Sequence, residues 1–121
     1  CLRGMKSEFG APHRNMVDFA QVPTVKRLTR MPVCIDPSHS VGSRDIAPDG
    51  VLELCHATAQ GVLAGANMVL VDFHPAPLKA LVDGPQALTI NELEPFLKDM
   101  EIARAAYLAR VDAWKQHTAN A

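Results

Sequence analysis

Three times along this chain, an apolar segment of strand length is followed by a polar loop and then by a stretch with helical periodicity. The predicted strands are residues 1–4, 32–36 and 67–73. Alternation of strand and helix predicts an α/β fold with a parallel sheet and right-handed crossovers. Such a sheet is either doubly wound or part of a (β/α)8 barrel. A complete barrel needs roughly 250 residues, so three units would form only a partial barrel with exposed sheet edges.

The helices between these strands have their own sequence signals. Residues 22–30 carry an apolar residue at every third position, which predicts a helix with one buried face. A second helix is predicted over residues 51–64, and Gly65 is placed to end it. Asn91 and Glu94 resemble a capping pair at the start of a long closing helix.

The last predicted strand is almost wholly apolar, which is typical of a strand buried on both faces of a parallel sheet. We expect one domain over residues 1–118 and a short disordered tail at residues 119–121. The chain begins with Cys1 inside a predicted strand, and this start suggests a fragment of a longer protein.

Composition excludes several classes of partner. Twelve basic and 13 acidic residues give a net charge of −1, so we expect no binding to nucleic acid or to an anionic membrane. No apolar run reaches the roughly 18 residues of a membrane span. The three cysteines show no CxxC spacing, which argues against a disulfide framework and favours a reducing, cytoplasmic location.

Polar side chains follow the end of each predicted strand. They are Arg3, then Asp36 and His39, then Asp72 and His74. Arg3 precedes His39 by 36 residues, and His39 precedes Asp72 by 33, each interval being about one strand-helix unit. Adjacent parallel strands lie roughly 4.8 Å apart, and barrel active sites form at the carboxyl ends of the strands. We therefore expect these side chains to gather into one site.

His39, Asp72 and Asp83 offer an imidazole and two carboxylates, which suit a divalent manganese, iron, cobalt or zinc ion. The alternative is that His39 is an ordinary loop histidine and that the two aspartates cap helices or face solvent. Spacing alone leaves both interpretations open.

Arg3 is followed by Gly4, which lets a ligand approach the backbone closely. Its guanidinium could hold a phosphate or carboxylate through two parallel hydrogen bonds. The alternative is a surface arginine paired with Glu8 or Asp18.

Six short motifs then connect the chain to a known family. They are CLRG at residues 1–4, HRN at 13–15, DPSHS at 36–40, GSRD at 42–45, GAN at 65–67 and VDFHPAPLKALVDGPQAL at 71–88. Together they resemble the C-terminal half of type I 3-deoxy-7-phosphoheptulonate (DAHP) synthases, in the group shared with 3-deoxy-octulosonate 8-phosphate synthases. The succession of DPSH and HPAPLKALVDGPQ is the most specific part of this resemblance.

The resemblance implies a (β/α)8 TIM barrel of which this chain holds strands six, seven and eight with their helices. It implies that Arg3 binds the phosphate of phosphoenolpyruvate. It also implies that His39 is a metal ligand and part of the catalytic site, and that Asp83 is a second metal ligand. Asp72 falls where the family normally has a catalytic glutamate ligand, so an altered metal preference or a weaker activity is expected.

The reaction implied by the resemblance is the condensation of phosphoenolpyruvate with erythrose 4-phosphate, the entry to the shikimate pathway of aromatic amino acid biosynthesis. The family's strand-one cysteine ligand, its KPRT-like motif, and its arginine and lysine of strands four and five would all precede this segment. The resemblance therefore implies that the missing N-terminal half is a partner and that the chain alone is inactive. A homo-oligomer is also expected.

Two other interpretations are retained. The first is a segment of a 3-deoxy-octulosonate 8-phosphate synthase, which uses arabinose 5-phosphate and usually reads DATHSVQ where this chain has DPSH at residues 36–39. The second is a non-catalytic half-barrel that serves only in assembly, for which Asp72 and the missing half are the supporting features.

Overall fold

The computed structural model describes residues 1–120 of the chain. In that part the helices are α1 (Val22–Thr29), α2 (Pro37–Val41), α3 (Glu53–Leu63) and α4 (Ile90–Ala119). The strands are β1 (Cys34–Ile35) and β2 (Met68–Val69). Short 3₁₀ turns cover Glu8–Gly10, Phe19–Gln21, Pro77–Lys79 and Gly84–Gln86.

The sheet is parallel and has a third, very short neighbour. β1 pairs with β2 in parallel register, and Leu2 joins the other side of β1 through a parallel bridge to Ile35. The Leu2 N–H donates to the carbonyl of Cys34 at 2.7 Å, and the N–H of Asp36 donates to the carbonyl of Leu2 at 2.8 Å. The predicted α/β class with parallel pairing is confirmed.

The predicted burial of the last strand on both faces is wrong. Val69 and Val71 pack against the hydrophobic core. Met68 is 64% exposed and Leu70 is 46% exposed. Side chains alternate across a strand, and the helices within residues 1–120 cover only one face of the sheet. The other face is bare and apolar.

Helix α3 packs closely on β1 because a glycine faces the strand. A Cβ atom placed on Gly61 would lie 2.5 Å from Cδ1 of Ile35 and 3.2 Å from Cβ of Phe19. Ile35 and Phe19 are both fully buried and belong to one core cluster. A second cluster joins α3 to α4 through Leu54 and Phe96. Helix α3 thus connects the sheet to the long closing helix.

Two of the predicted helix boundaries can be compared with the structure. Gly65 follows the end of α3 with a φ of +102°, as a glycine stop signal requires. Helix α4 begins two residues earlier than the Asn91–Glu94 pair suggested, because Thr89 and Glu92 form its capping box. The N–H of Thr89 donates to Oε2 of Glu92 at 2.9 Å. The predicted pair was therefore wrong, although its spacing was the same.

The carboxyl-terminal residues also differ from the expectation. Helix α4 continues to Ala119, so the predicted tail begins inside the helix, and Ala121 lies outside the described residues. Among the helices that the structure describes, none combines the length and the apolar character needed to cross a membrane.

We predict that Gly61→Ala destabilises the chain by about 1–3 kcal/mol, the usual cost of overpacking a core. The added methyl would collide with Cδ1 of Ile35, which is fully buried and has no room to retreat. Urea unfolding of the two proteins measures the change in the free energy of unfolding.

Ile35→Val provides the matched control because it removes the colliding Cδ1 atom. The double variant with Gly61→Ala should lose less stability than the sum of the two single changes. Additive losses would contradict this description of the contact between α3 and β1.

Candidate metal centre

The candidate site lies at the carboxyl ends of the three extended segments. Arg3 follows Leu2, Asp36 follows β1, and Asp72 lies three residues beyond β2. Because the three segments are parallel neighbours, their following residues meet at one edge of the sheet. The sequence intervals predicted this gathering.

His39 is positioned by a helical turn that sequence reasoning did not foresee. Pro37 begins α2, where its fixed φ suits the first helical position. Asp36 caps this helix by accepting a hydrogen bond from the N–H of His39 at 3.2 Å. The Nδ1 atom of the His39 ring lies 2.9 Å and 2.8 Å from the two carboxylate oxygens of Asp36. Since a carboxylate can only accept, Nδ1 carries the hydrogen.

The other ring nitrogen of His39 faces two more carboxylates. Its Nε2 atom lies 3.2 Å from Oδ2 of Asp83 and 3.8 Å from Oδ2 of Asp72. One potential ligand atom from each of the three residues lies within 4.8 Å of the others. The structure therefore brings His39, Asp72 and Asp83 together, and their role as metal ligands remains a prediction.

Asp72 is held by two hydrogen bonds from different segments. Its N–H donates to the hydroxyl of Ser38 at 2.9 Å, and its Oδ2 accepts from Nε2 of Gln86 at 2.7 Å. Gln86 is fully buried, and within the described residues its Oε1 atom has no hydrogen-bond partner. Sequence reasoning assigned no role to Gln86, although a glutamine three residues after Asp83 in a specific motif was a usable signal.

Asp83 lies in a tightly folded loop. It has a φ of +53°, in the left-handed region that aspartate tolerates better than most residues. The next residue, Gly84, approaches the loop so closely that a Cβ there would lie 2.3 Å from the carbonyl oxygen of Pro77. The loop thus fixes the backbone that presents the Asp83 carboxylate, which is partly exposed.

The surrounding carboxylates favour the protonated ring of His39. The hydrogen bond to Asp36 is the main cause that raises the pKa of His39 above its ordinary value of 6.5. Partial burial lowers this pKa, whereas the hydrogen bond to Asp83 and the charge of Asp72 raise it further. A metal ion would need the unprotonated Nε2 atom, so cation and proton compete for the same position.

The donor set fits a divalent first-row ion, since it joins one imidazole nitrogen to two carboxylate oxygens. Three protein ligands would leave further coordination positions open, as catalytic metal sites require. His39 would be the nitrogen ligand, with Asp83 and Asp72 supplying oxygen.

Arg3 pairs with Asp36 and not with Glu8 or Asp18, so the alternative pairing considered above is wrong. Its Nε atom donates to Oδ2 of Asp36 at 2.8 Å, and its side chain is 56% exposed. The two terminal nitrogens of Arg3 make no hydrogen bond to the part of the chain that the structure describes. They remain available to an anion from solvent.

His74 does not join this cluster of ionisable groups through a hydrogen bond. Its Nδ1 atom accepts a hydrogen bond from the N–H of Ala76 at 2.9 Å, which stabilises the following turn. We assign His74 a local structural role.

A parallel strand-helix segment with ionisable side chains gathered at its strand ends belongs to the class of α/β proteins, which includes doubly wound sheets and barrels. Comparison with known proteins identifies the family. The sequence model of the DAHP synthetase I family matches residues 1–107, and the chain belongs to that family.

Individual relatives of both functional types are similar to this chain. The phospho-2-dehydro-3-deoxyheptonate aldolase of Thermotoga maritima is 35% identical over 101 residues, which cover 84% of this chain and 28% of that protein. The 2-dehydro-3-deoxyphosphooctonate aldolase of Desulfosudis oleivorans is 35% identical over 95 residues, covering 75% of this chain and 34% of that protein. The chain thus spans about a third of the length of these relatives.

A solved structure agrees with this assignment. The truncated form of 3-deoxy-D-arabino-heptulosonate 7-phosphate synthase from Thermotoga maritima superposes with a TM-score of 0.74 at 31% sequence identity. The match covers 88% of this chain and 38% of that one. The chain therefore shares its fold with part of that synthase, which is a TIM-barrel enzyme.

The raised pKa of His39 predicts a pH-dependent contribution to stability. This contribution is fully present below the pKa of an unfolded histidine, roughly 6.5, and is lost as the pH rises through the higher folded pKa. With a chelator present, His39→Gln should therefore lower the free energy of unfolding more at about pH 6 than at about pH 9.

Urea unfolding at both pH values measures this difference. His117→Gln, at an exposed position near the end of α4, is the matched control and should show no comparable pH dependence. An equal effect of His39→Gln at the two pH values would contradict the described contacts of His39 with the three carboxylates.

Proposed function

We propose that this chain supplies the carboxyl-terminal part of a DAHP synthase, a transferase that condenses phosphoenolpyruvate with erythrose 4-phosphate at a divalent metal site. The observation that carries the proposal is the position of the Nε2 atom of His39, 3.2 Å from Asp83 and 3.8 Å from Asp72. Membership of the DAHP synthetase I family supports the same assignment. The reaction would be the first step of the shikimate pathway, in the cytoplasm.

In this proposal, Arg3 is the anchor for the phosphate of phosphoenolpyruvate. A guanidinium binds phosphate through two parallel hydrogen bonds. The terminal nitrogens of Arg3 suit this role because its Nε atom is already held by buried Asp36. Arg3 would orient the substrate and stabilise the negative charge of its phosphate.

His39, Asp72 and Asp83 would hold the divalent ion, either manganese, iron, cobalt or zinc. When bound, such an ion supplies Lewis acidity toward the aldehyde oxygen. The protein's own contribution is orientation: Asp36 holds the ring of His39, and Gln86 holds the carboxylate of Asp72.

The uncovered apolar face of the sheet supports the proposal that the chain has a partner segment. Met68 and Leu70 are exposed on that face, and a TIM barrel would cover them with side chains of its other strands. The chain would therefore hold strands six to eight and associate with the N-terminal half of the barrel. A homo-oligomer of the assembled protein is part of the same proposal.

An octulosonate 8-phosphate synthase segment is the second candidate, because relatives with that name are similar to this chain. The DPSH motif at residues 36–39 favours the heptulosonate reaction. Assays of the assembled protein with erythrose 4-phosphate and with arabinose 5-phosphate separate the two. Faster turnover of arabinose 5-phosphate would reverse the order of the candidates.

We predict that the chain binds Co²⁺ weakly and that His39→Ala lowers the affinity at least about 10-fold, because the variant loses its only nitrogen ligand. Asp72→Glu should raise the affinity, because its longer side chain reaches further toward Nε2 of His39. Isothermal titration calorimetry with Co²⁺ measures both effects.

His56→Ala is the matched control, since His56 is exposed and pairs with Asp49 away from the site. It should leave the affinity for Co²⁺ unchanged. Equal affinities of the wild type and His39→Ala would contradict the proposed metal centre.

We further predict that the purified chain forms no product from phosphoenolpyruvate and erythrose 4-phosphate by itself. Activity should return on mixing with the N-terminal segment of a related synthase, and Arg3→Ala should then raise the KM for phosphoenolpyruvate. Product formation by the chain alone would contradict the proposed division of the barrel. A tight complex that binds no stoichiometric metal would instead favour a non-catalytic assembly role.

A further inference from the structure

The buried carboxylate of Asp36 contacts both parts of the candidate site. We propose that Asp36 is a positioning residue that orients His39 for a divalent cation and Arg3 for a phosphate group, so that each ligand strengthens the binding of the other. This inference rests on the proposed function for the identity of the two ligands. The contacts themselves belong to the chain alone.

The hydrogen bonds of the Asp36 carboxylate are made with Arg3 and His39. Oδ1 of Asp36 accepts from the backbone N–H of His39 at 3.2 Å and lies 2.9 Å from the ring Nδ1. Oδ2 accepts from Nε of Arg3 at 2.8 Å and lies 2.8 Å from the same ring nitrogen. Asp36 has no exposed surface, and a buried charge needs such partners to be tolerated.

The contact with the ring of His39 selects one tautomer. A hydrogen on Nδ1 leaves the lone pair of the neutral ring on Nε2, the atom that faces Asp72 and Asp83. Carboxylates that bind the second nitrogen of a metal-bound histidine fix the ring and raise its strength as a ligand. Asp36 contacts Nδ1 of His39 and can therefore fix the ring and strengthen Nε2 as a ligand.

The contact with Arg3 orients the anion site through the same carboxylate. Donation from Nε fixes the plane of the guanidinium, while its terminal nitrogens make no hydrogen bond within the described residues. A planar donor pair that is already oriented suits phosphate and loses less conformational freedom on binding. Arg3 has no comparable contact with another acidic side chain in that part of the structure.

Sharing one carboxylate connects the two sites. A cation on Nε2 of His39 makes the Nδ1 hydrogen a stronger donor, which draws the charge of Asp36 toward the ring. The charge of Arg3 is then less neutralised and attracts an anion more strongly. By thermodynamic reciprocity, an anion on Arg3 must strengthen cation binding by the same factor.

A purely structural role for Asp36 would be the capping of α2, and two variants separate that role from positioning. Asparagine and serine are both good capping residues. Asp36→Asn keeps the size of the side chain but removes the negative charge, and Asp36→Ser keeps a cap that is too short to reach the ring and the guanidinium. Both variants should retain α2 if capping is satisfied.

The experiment uses the full chain with two probes, Co²⁺ and sulfate, a tetrahedral dianion that stays soluble with Co²⁺. Calorimetry gives the Co²⁺ affinity with and without sulfate, and nitrogen-15 NMR of the metal-free chain at one alkaline pH gives the tautomer of His39. Sulfate should raise the Co²⁺ affinity of the wild type by roughly 5-fold or more. In both Asp36 variants the affinity should fall about 10- to 100-fold, and the hydrogen should no longer be confined to Nδ1.

Direct attraction between Co²⁺ and sulfate persists in the variants, so the loss of the sulfate effect relative to wild type isolates the contribution of Asp36. Arg3→Met removes the proposed anion site without altering a buried residue, so sulfate should no longer raise the Co²⁺ affinity if its effect requires binding at Arg3. An unchanged tautomer and Co²⁺ affinity in the Asp36 variants would overturn the positioning role. A full sulfate effect in those variants would overturn the connection between the sites.

None of these measurements involves turnover. Inactivity of the assembled protein would count against the synthase proposal. The calorimetry and the NMR measurements would still test the role of Asp36.

Discussion

Parallel pairing of three short segments is the constraint on which the site depends. The N–H of Asp36 donates to Leu2, and the N–H of Leu70 donates to Ile35, so the three segments run side by side in one direction. Only this arrangement brings the residues that follow each segment to a common edge. The pairing is held by few backbone hydrogen bonds, and α3, packed through Gly61, supplies the hydrophobic support beneath it.

At that edge the chain concentrates negative charge around one histidine. The carboxylates of Asp36, Asp72 and Asp83 all lie within 4 Å of ring nitrogens of His39, and within residues 1–120 Arg3 is the cationic side chain that pairs with one of them. Like charges this close repel one another unless a positive charge lies between them. Protonation of the ring supplies such a charge, and a divalent ion supplies more. The raised pKa of His39 and the proposed metal site are thus two consequences of one electrostatic arrangement.

Strand-helix spacing predicted the parallel α/β class and the meeting of His39 with Asp72, whereas Asp83 was expected from its place in the following loop and from the family resemblance. The sequence did not predict which of two overlapping Thr/Asn–x–x–Glu patterns caps α4, since the spacing of Thr89–Glu92 and Asn91–Glu94 is identical. A contact from outside the helix favours the first pair, because Arg44 donates a hydrogen bond to Oε1 of Glu92. The exposure of strand residue Met68 was also beyond local reasoning, because an apolar strand is buried only where another segment packs on it, and within residues 1–120 none covers Met68.

The position of the Asp72 carboxylate depends on a buried neighbour. Its Oδ2 atom accepts from Gln86 at 2.7 Å and lies 3.8 Å from Nε2 of His39, whereas Oδ2 of Asp83 lies at 3.2 Å. A carboxylate oxygen can accept a hydrogen bond and bind a cation together, because it has more than one lone pair. Gln86 is fully buried and cannot follow Asp72 toward an ion without leaving its own packing. The buried glutamine therefore limits how far Asp72 can move, and Asp83, whose side chain is 41% exposed, would be the carboxylate with more freedom to adjust to the size of an ion.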